Sequence, residues 1–184
     1  ENFENAIDDE TFAKIVSIIR IAVPYTGMIV STRESQKTRE KVLALGVSQI
    51  SGGSRTSVGG YTKIQRVDET AQFDVSDTRT LDEVINWLMK LNYVPSFCTA
   101  CYRLGRTGDR FMELLKAGQI SNCCHPNALI TLNEYLEDYA SEETKIIGKE
   151  LIKKELLNVP NLSIRQKAQY YIEQENAGLR DFRF

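Results

Sequence analysis

The stretch Gly27-Met-Ile-Val-Ser-Thr-Arg-Glu34 decides the fold. Met28, Ile29 and Val30 form a short apolar run with β-branched residues, the pattern of a strand buried in a parallel sheet. The run ends in the polar residues Ser31, Thr32, Arg33 and Glu34. A helix is expected over residues 36–45, with Gly46 at the position just past its end. Residues 47–50 then read as a second short strand, which runs into the polar, glycine-rich loop Ser51-Gly-Gly-Ser-Arg-Thr-Ser-Val-Gly-Gly60. Upstream, Phe12, Ile15, Val16 and Ile19 recur three and four apart, which predicts a helix over residues 8–22. Asp8 or Asp9 caps its start, and Pro24 stops it. Helix, strand, helix and strand with short connections are the grammar of βα repeats, and such folds place polar chemistry at strand C-termini. Two strands cannot close a sheet, so this half reads as the last part of a larger α/β architecture.

Residues 61–77 read as irregular, and the chain beyond them as helical. Leu81, Val84, Ile85, Leu88 and Leu91 make one apolar face; Phe111, Met112, Leu114 and Leu115 make another, ended by Gly118. Pro126 suits the first position of a helix that carries Leu129, Leu132, Tyr135, Leu136 and Tyr139. Residues 146–157 and 164–172 complete about five helices. The expected fold class is thus α/β followed by all-α, divided into residues 1–76 and 77–184, with the cysteines on the connections of the helical part.

Composition narrows the function. A 42% hydrophobic, 26% charged chain is ordinary for a soluble globular protein. The apolar stretch around Ile18 and Ile19 is broken at Arg20, far short of the ~18 residues of a membrane span. A net charge of −2 with mixed signs gives no reason to expect nucleic acid or an anionic membrane as partner. The acidic, polar N-terminal residues are not those of a secretory signal. A cytoplasmic location with reduced thiols follows as the expectation.

All four cysteines fall between Cys98 and Cys124. Cys98-x2-Cys101 lets two sulfurs converge from one turn, and Cys124 follows after 22 residues. Clustered thiolates select zinc or iron–sulfur clusters. A structural zinc site takes four ligands, and a fourth is awkward here. Cys123 and His125, the single histidine, both adjoin Cys124, and neighbouring side chains usually point apart. Three thiolates on a four-iron cube leave one iron open to an exogenous ligand. The bland readings stand beside these: the C-x2-C pair as a zinc half-site or chance, Cys123 as an idle thiol, His125 as a cap or surface residue. Arg103, Arg106 and Arg110 either offset thiolate charge or solvate a helix face.

The C-x2-C-x22-C spacing sits in Phe97-Cys-Thr-Ala-Cys-Tyr-Arg-Leu-Gly-Arg-Thr-Gly-Asp-Arg-Phe-Met112 and resembles the HydG family, the radical S-adenosylmethionine tyrosine lyases of FeFe-hydrogenase maturation. The likeness continues through residues 116–132, 134–140, 22–34 and 51–56, in effect the whole chain. The cysteine motif separates it from the related thiamine-pathway tyrosine lyase. The resemblance implies the last strands and helices of a radical S-adenosylmethionine TIM barrel, then a helical domain binding an auxiliary 4Fe-4S cluster with an extra iron. It implies cleavage of tyrosine to p-cresol and dehydroglycine, the making of carbon monoxide and cyanide, and their assembly into an iron–carbonyl–cyanide synthon for the hydrogenase H-cluster. Free cysteine and the maturation proteins that receive the iron are the further implied partners. By position, Cys98, Cys101 and Cys124 match the auxiliary-cluster ligands, and Arg33 is placed to bind the tyrosine carboxylate, for which a planar guanidinium is suited. Ser31, Ser54 and Arg55 are further substrate-binding candidates; for Arg33 the alternative is an ion pair with Glu34 or Glu40. The family's C-x3-C-x2-C motif, which holds the second 4Fe-4S cluster and S-adenosylmethionine, is absent from these 184 residues, so they are expected to be inactive alone. The competing reading is a zinc-stabilised helical interaction module without catalysis.

Overall fold

The computed structural model describes residues 6–57, 59–62 and 74–184. It divides into two compact units, Glu1–Leu81 and Asp82–Phe184. It is mostly helical with a small parallel sheet.

In the first unit, α1 spans Asp9–Ala22, and Asp8 caps it by accepting from the Thr11 amide at 2.7 Å. Strand β1 (Ile29–Val30) pairs in parallel with β2 (Gln49–Ile50), Ile29 opposite Gln49 and Val30 opposite Ile50. Both strands are shorter than the sequence pattern suggests, because regular ladder bonding is confined to these pairs. Bonding does continue at the ends: the Met28 carbonyl accepts from the Ser48 and Gln49 amides, and the Val30 carbonyl from the Ser51 amide. Between the strands runs α2 (Gln36–Ala44), one residue shorter than expected, capped by Ser35. Gly46 takes the left-handed conformation at φ +96°, as the expected helix end requires.

The first unit is closed by charge as much as by apolar packing. Arg39 on α2 is fully buried and pairs with buried Asp77, which Arg79 also holds at 2.6 Å. Arg39 donates in addition to the Ser51 carbonyl, and the Asp77 amide donates to the Thr32 carbonyl at 3.0 Å. One ion pair therefore ties down the backbone just beyond both strands. Burial pushes the Asp77 carboxyl up; the Arg79 bonds and the Arg39 charge outweigh it and leave it below the usual carboxylate range.

The second unit is built around α6 (Cys124–Asp138), whose Leu129, Ile130, Leu132 and Leu136 are almost wholly buried. Each such side chain contributes roughly 1.5–3 kcal/mol on burial. Helices α7 (Glu142–Leu156) and α8 (Leu162–Asn176) pack on α6, and α3 (Leu81–Lys90) adds Ile85 and Met89 to the same core. Asp82 at the start of α3 accepts from Ser141, Thr144 and Tyr135 and so pins α3 to α6 and α7. Burial, and then Asp82, push the Tyr135 hydroxyl up to about 12. Between α3 and α6 lie two short helices, α4 (Ala100–Arg103) and α5 (Asp109–Lys116), and a 3-10 turn over Gln119–Asn122.

Three expectations need correction. Pro126 is the third residue of α6, not the first; its missing donor costs nothing there, since the amides of a first turn have no partner within the helix. Cys101 and Cys124 lie inside helices α4 and α6 rather than on connections, because α4 is a single turn too short to leave an apolar period. Helices α7 and α8 also begin earlier than their apolar residues do, at polar caps Ser141 and Asn161.

Candidate metal centre

The cysteine-bearing segment is anchored to α6 before it reaches the first sulfur. Phe97 stacks on Tyr135 with ring centroids 5.1 Å apart, and its amide donates to Thr131 Oγ1 at 3.2 Å. The chain then turns so that the Ala100 amide points at Cys98 Sγ, 3.4 Å away. Ala100 is buried, which seats α4 against the unit with Cys101 in its first turn. Cys124 is the first residue of α6, where the helix dipole favours negative charge.

All four thiols are partly buried and unbridged. The Cys124 thiol is pushed up to about 11, first by burial and then by Cys123, Cys101 and Cys98, with Arg106 opposing. Burial first, and the neighbouring thiols after it, outweigh the arginine. A bound cation would relieve the repulsion among the thiols. Among the described residues, no three side chains of His, Cys, Asp or Glu converge on the single point that one tetrahedral ion needs.

The neighbouring candidates separate. His125 faces Glu155 at 3.3 Å, with both side chains half-buried. Cys123 accepts from the Asn127 side chain at 3.7 Å. Arg103 pairs with Asp181, Arg106 donates to the Phe184 carbonyl at 2.9 Å, and Arg110 leans on the Gly105 carbonyl at 3.5 Å. Of the three arginines, Arg106 acts by its charge on the Cys124 thiol. A cavity of about 80 Å³ opens beside Cys98, with Arg103, Glu134 and Asp181 in its walls. Sequence reasoning passed over Asn127 and residues 180–184. Asn127 stands one helical turn past Cys124, which was the available signal.

In the first unit, Ser31 and Arg33 lie just beyond β1, and Ser54 and Arg55 just beyond β2. Parallel pairing puts all four at the same end of the sheet. Ser31 Oγ accepts from the Arg33 amide at 3.2 Å, and the Arg55 amide donates to the Tyr61 hydroxyl at 3.2 Å. Arg33 and Arg55 are exposed, Ser54 half-buried.

Residues 1–94 match the model of the biotin and thiamin synthesis associated domain. The chain belongs to that family. This domain chain is 28% identical over 104 residues to 2-iminoacetate synthase of Escherichia coli strain K12, covering 56% of this chain and 27% of that protein. A crystal structure of HydG, described as a maturase of the [FeFe]-hydrogenase, superposes with a TM-score of 0.92 at 48% identity, over 99% of this chain and 39% of that one. HydG from Carboxydothermus hydrogenoformans gives 0.69 at 35% identity, over 94% of this chain and 35% of that one. The domain chain therefore spans 27–39% of the length of these relatives and matches a HydG C-terminal portion. The likeness to HydG drawn from the cysteine spacing stands. No helix among the described residues is long and apolar enough to cross a membrane.

Proposed function

We propose that this chain is the C-terminal part of a radical S-adenosylmethionine tyrosine lyase of the HydG kind. Residues 1–76 are the closing part of its TIM barrel, and residues 77–184 its auxiliary-cluster domain. The observation that carries the reading is the reach of the HydG likeness. It takes in 99% of the chain, including the cysteine-bearing unit, whereas the match to 2-iminoacetate synthase takes in 56%. Cys98, Cys101 and Cys124 hold the auxiliary 4Fe-4S cluster, with the Ala100 amide directed at Cys98 Sγ and the Arg106 charge partly offsetting the crowding at Cys124. Arg33 binds the tyrosine carboxylate as a fork, and Ser31, Ser54 and Arg55 add hydrogen bonds at the same sheet end. The clusters, when bound, supply the reductant for S-adenosylmethionine and an open iron corner. Tyrosine gives p-cresol and dehydroglycine, and the carbon monoxide and cyanide derived from dehydroglycine are joined to iron, the cargo passed to hydrogenase maturation proteins in the cytoplasm.

The test uses the full-length protein, reconstituted without oxygen. The parent should hold about eight irons and eight sulfides, two four-iron clusters, and form p-cresol from tyrosine. Cys98→Ala, Cys101→Ala and Cys124→Ala should each lower iron to about four while p-cresol formation persists. One zinc and no sulfide at these cysteines would favour the helical interaction module instead. Iron lost on Cys123→Ala and kept on Cys124→Ala would move the third ligand.

A further inference from the structure

The candidate ligands come from two segments, which Phe97 links on the near side of Cys98 by packing on α6. Between Cys101 and Cys124 run α5 and the 3-10 turn, neither of which buries a single described residue. Besides the Phe97 anchor ahead of Cys98, what joins the segments is residues 180–184. Asn127, 1% exposed, accepts from the Phe184 amide at 2.9 Å and donates to the Phe184 carbonyl at 3.4 Å. Arg106 donates to that same carbonyl at 2.9 Å, and its own amide donates to the Cys101 carbonyl at 2.8 Å. Asn127 stands one turn past Cys124, and Arg106 one turn beyond Cys101. The backbone of one residue thus links the C-x2-C turn to the start of α6. Its neighbours fix it in place: Asp181 pairs with Arg103 and donates its amide to Glu134 at 2.6 Å, and Phe182 stacks on Tyr171 at 4.5 Å.

We propose that residues 180–184 are a strap that preorganises the cysteine centre, fastening Arg106 and Asn127 to the Phe184 backbone so that Cys98, Cys101 and Cys124 keep their relative placement before a cluster is loaded. The proposal rests on the reading of those cysteines as iron–sulfur ligands. Ligands ordered in advance lower the conformational cost of binding, and outer bonds of this kind fix how ligands are presented. Asp181, Phe184, Asn127 and Arg106 are positioning residues in this scheme; none is a ligand.

The test uses full-length protein with residues 181–184 deleted, its fold checked by circular dichroism and its unfolding midpoint. Two rates are read: iron release from reconstituted protein to a ferrous chelator, and iodoacetamide alkylation of Cys98, Cys101 and Cys124 in metal-free protein, followed by mass spectrometry. Loss of the three hydrogen bonds to the Phe184 backbone should speed both at least about tenfold, the factor carried by 1.4 kcal/mol. A folded deletion variant with both rates unchanged overturns the strap. Where the deletion melts the unit, Arg106→Gln, which cuts one strap bond and leaves the core intact, carries the test. It should speed release about threefold, and unchanged release overturns the proposal. If the parent takes up no iron, the ligand reading fails on its own, and the alkylation rates still decide the strap.

Discussion

The Asn133 side-chain amide donates to the Glu175 carboxylate at 2.8 Å, with both side chains shut away from solvent between α6 and α8. The other carboxylate oxygen has no partner among the described residues. Burial pushes the carboxyl up to about 8, against an ordinary 4.5; the Asn133 bond only partly opposes it, and Glu134 adds to the rise. The folded chain therefore keeps a proton that the unfolded chain has already released. Stability should fall as pH rises from about 4.5 to about 8, by roughly 1 kcal/mol per pH unit, and level off above. Glu175→Gln keeps an acceptor for Asn133 and removes the charge. Denaturant titrations of parent and variant across this range should show the variant's slope flattened and its stability higher at pH 8. Parallel curves would mean that Glu175 is not protonated in the fold.

The Arg39–Asp77 pair in the first unit has the opposite sign. The Asp77 carboxyl is held below its ordinary 3.8, so the stability it adds is present above that pH and lost as pH falls through the lower folded value. Arg39→Met leaves a buried carboxylate with one arginine in place of two and should destabilise the first unit by about 3–5 kcal/mol. Hydrogen exchange resolved to α2 and the loop after β2 is the measurement, since both lean on this ion pair. Protection retained in both would assign their stability to the apolar contacts instead.

Gly148 on α7 lets two helices touch. A Cβ added there would meet Leu136 Cδ2 at 2.7 Å and Cγ at 3.1 Å, and Leu136 is buried on α6. Gly148→Ala should therefore cost about 1–3 kcal/mol despite its better helix propensity. Adding Leu136→Val should recover part of that loss in a double-mutant cycle. Additive costs would show that the alanine clashes elsewhere.

Arg33→Lys in the full-length protein should weaken tyrosine binding about tenfold, because an ammonium cannot reproduce the two-pronged contact with a carboxylate. Calorimetric titration with tyrosine reads this directly, and an unchanged affinity would remove Arg33 from the substrate site.

Sequence alone determined the elements whose signals are local. The βα repeat at residues 27–50 was legible because a short apolar strand, a Ser35-led helix and a left-handed Gly46 each leave a mark within a few residues. The cysteine spacing was legible for the same reason, since thiolate chemistry depends on residue type and on a turn of four residues. The tertiary structure decided what depends on residues far apart. That Arg39 is buried, and not a solvated helix charge, follows from Asp77, 38 positions away. That Arg103 and Arg106 serve different partners follows from residues 78 positions onward. Asn127 looks like any polar residue of a helix start until the Phe184 backbone arrives to meet both ends of its amide. Hydrogen bonds and buried charges need partners at fixed distances, and only the folded chain supplies those distances; periodicity and spacing carry no record of them.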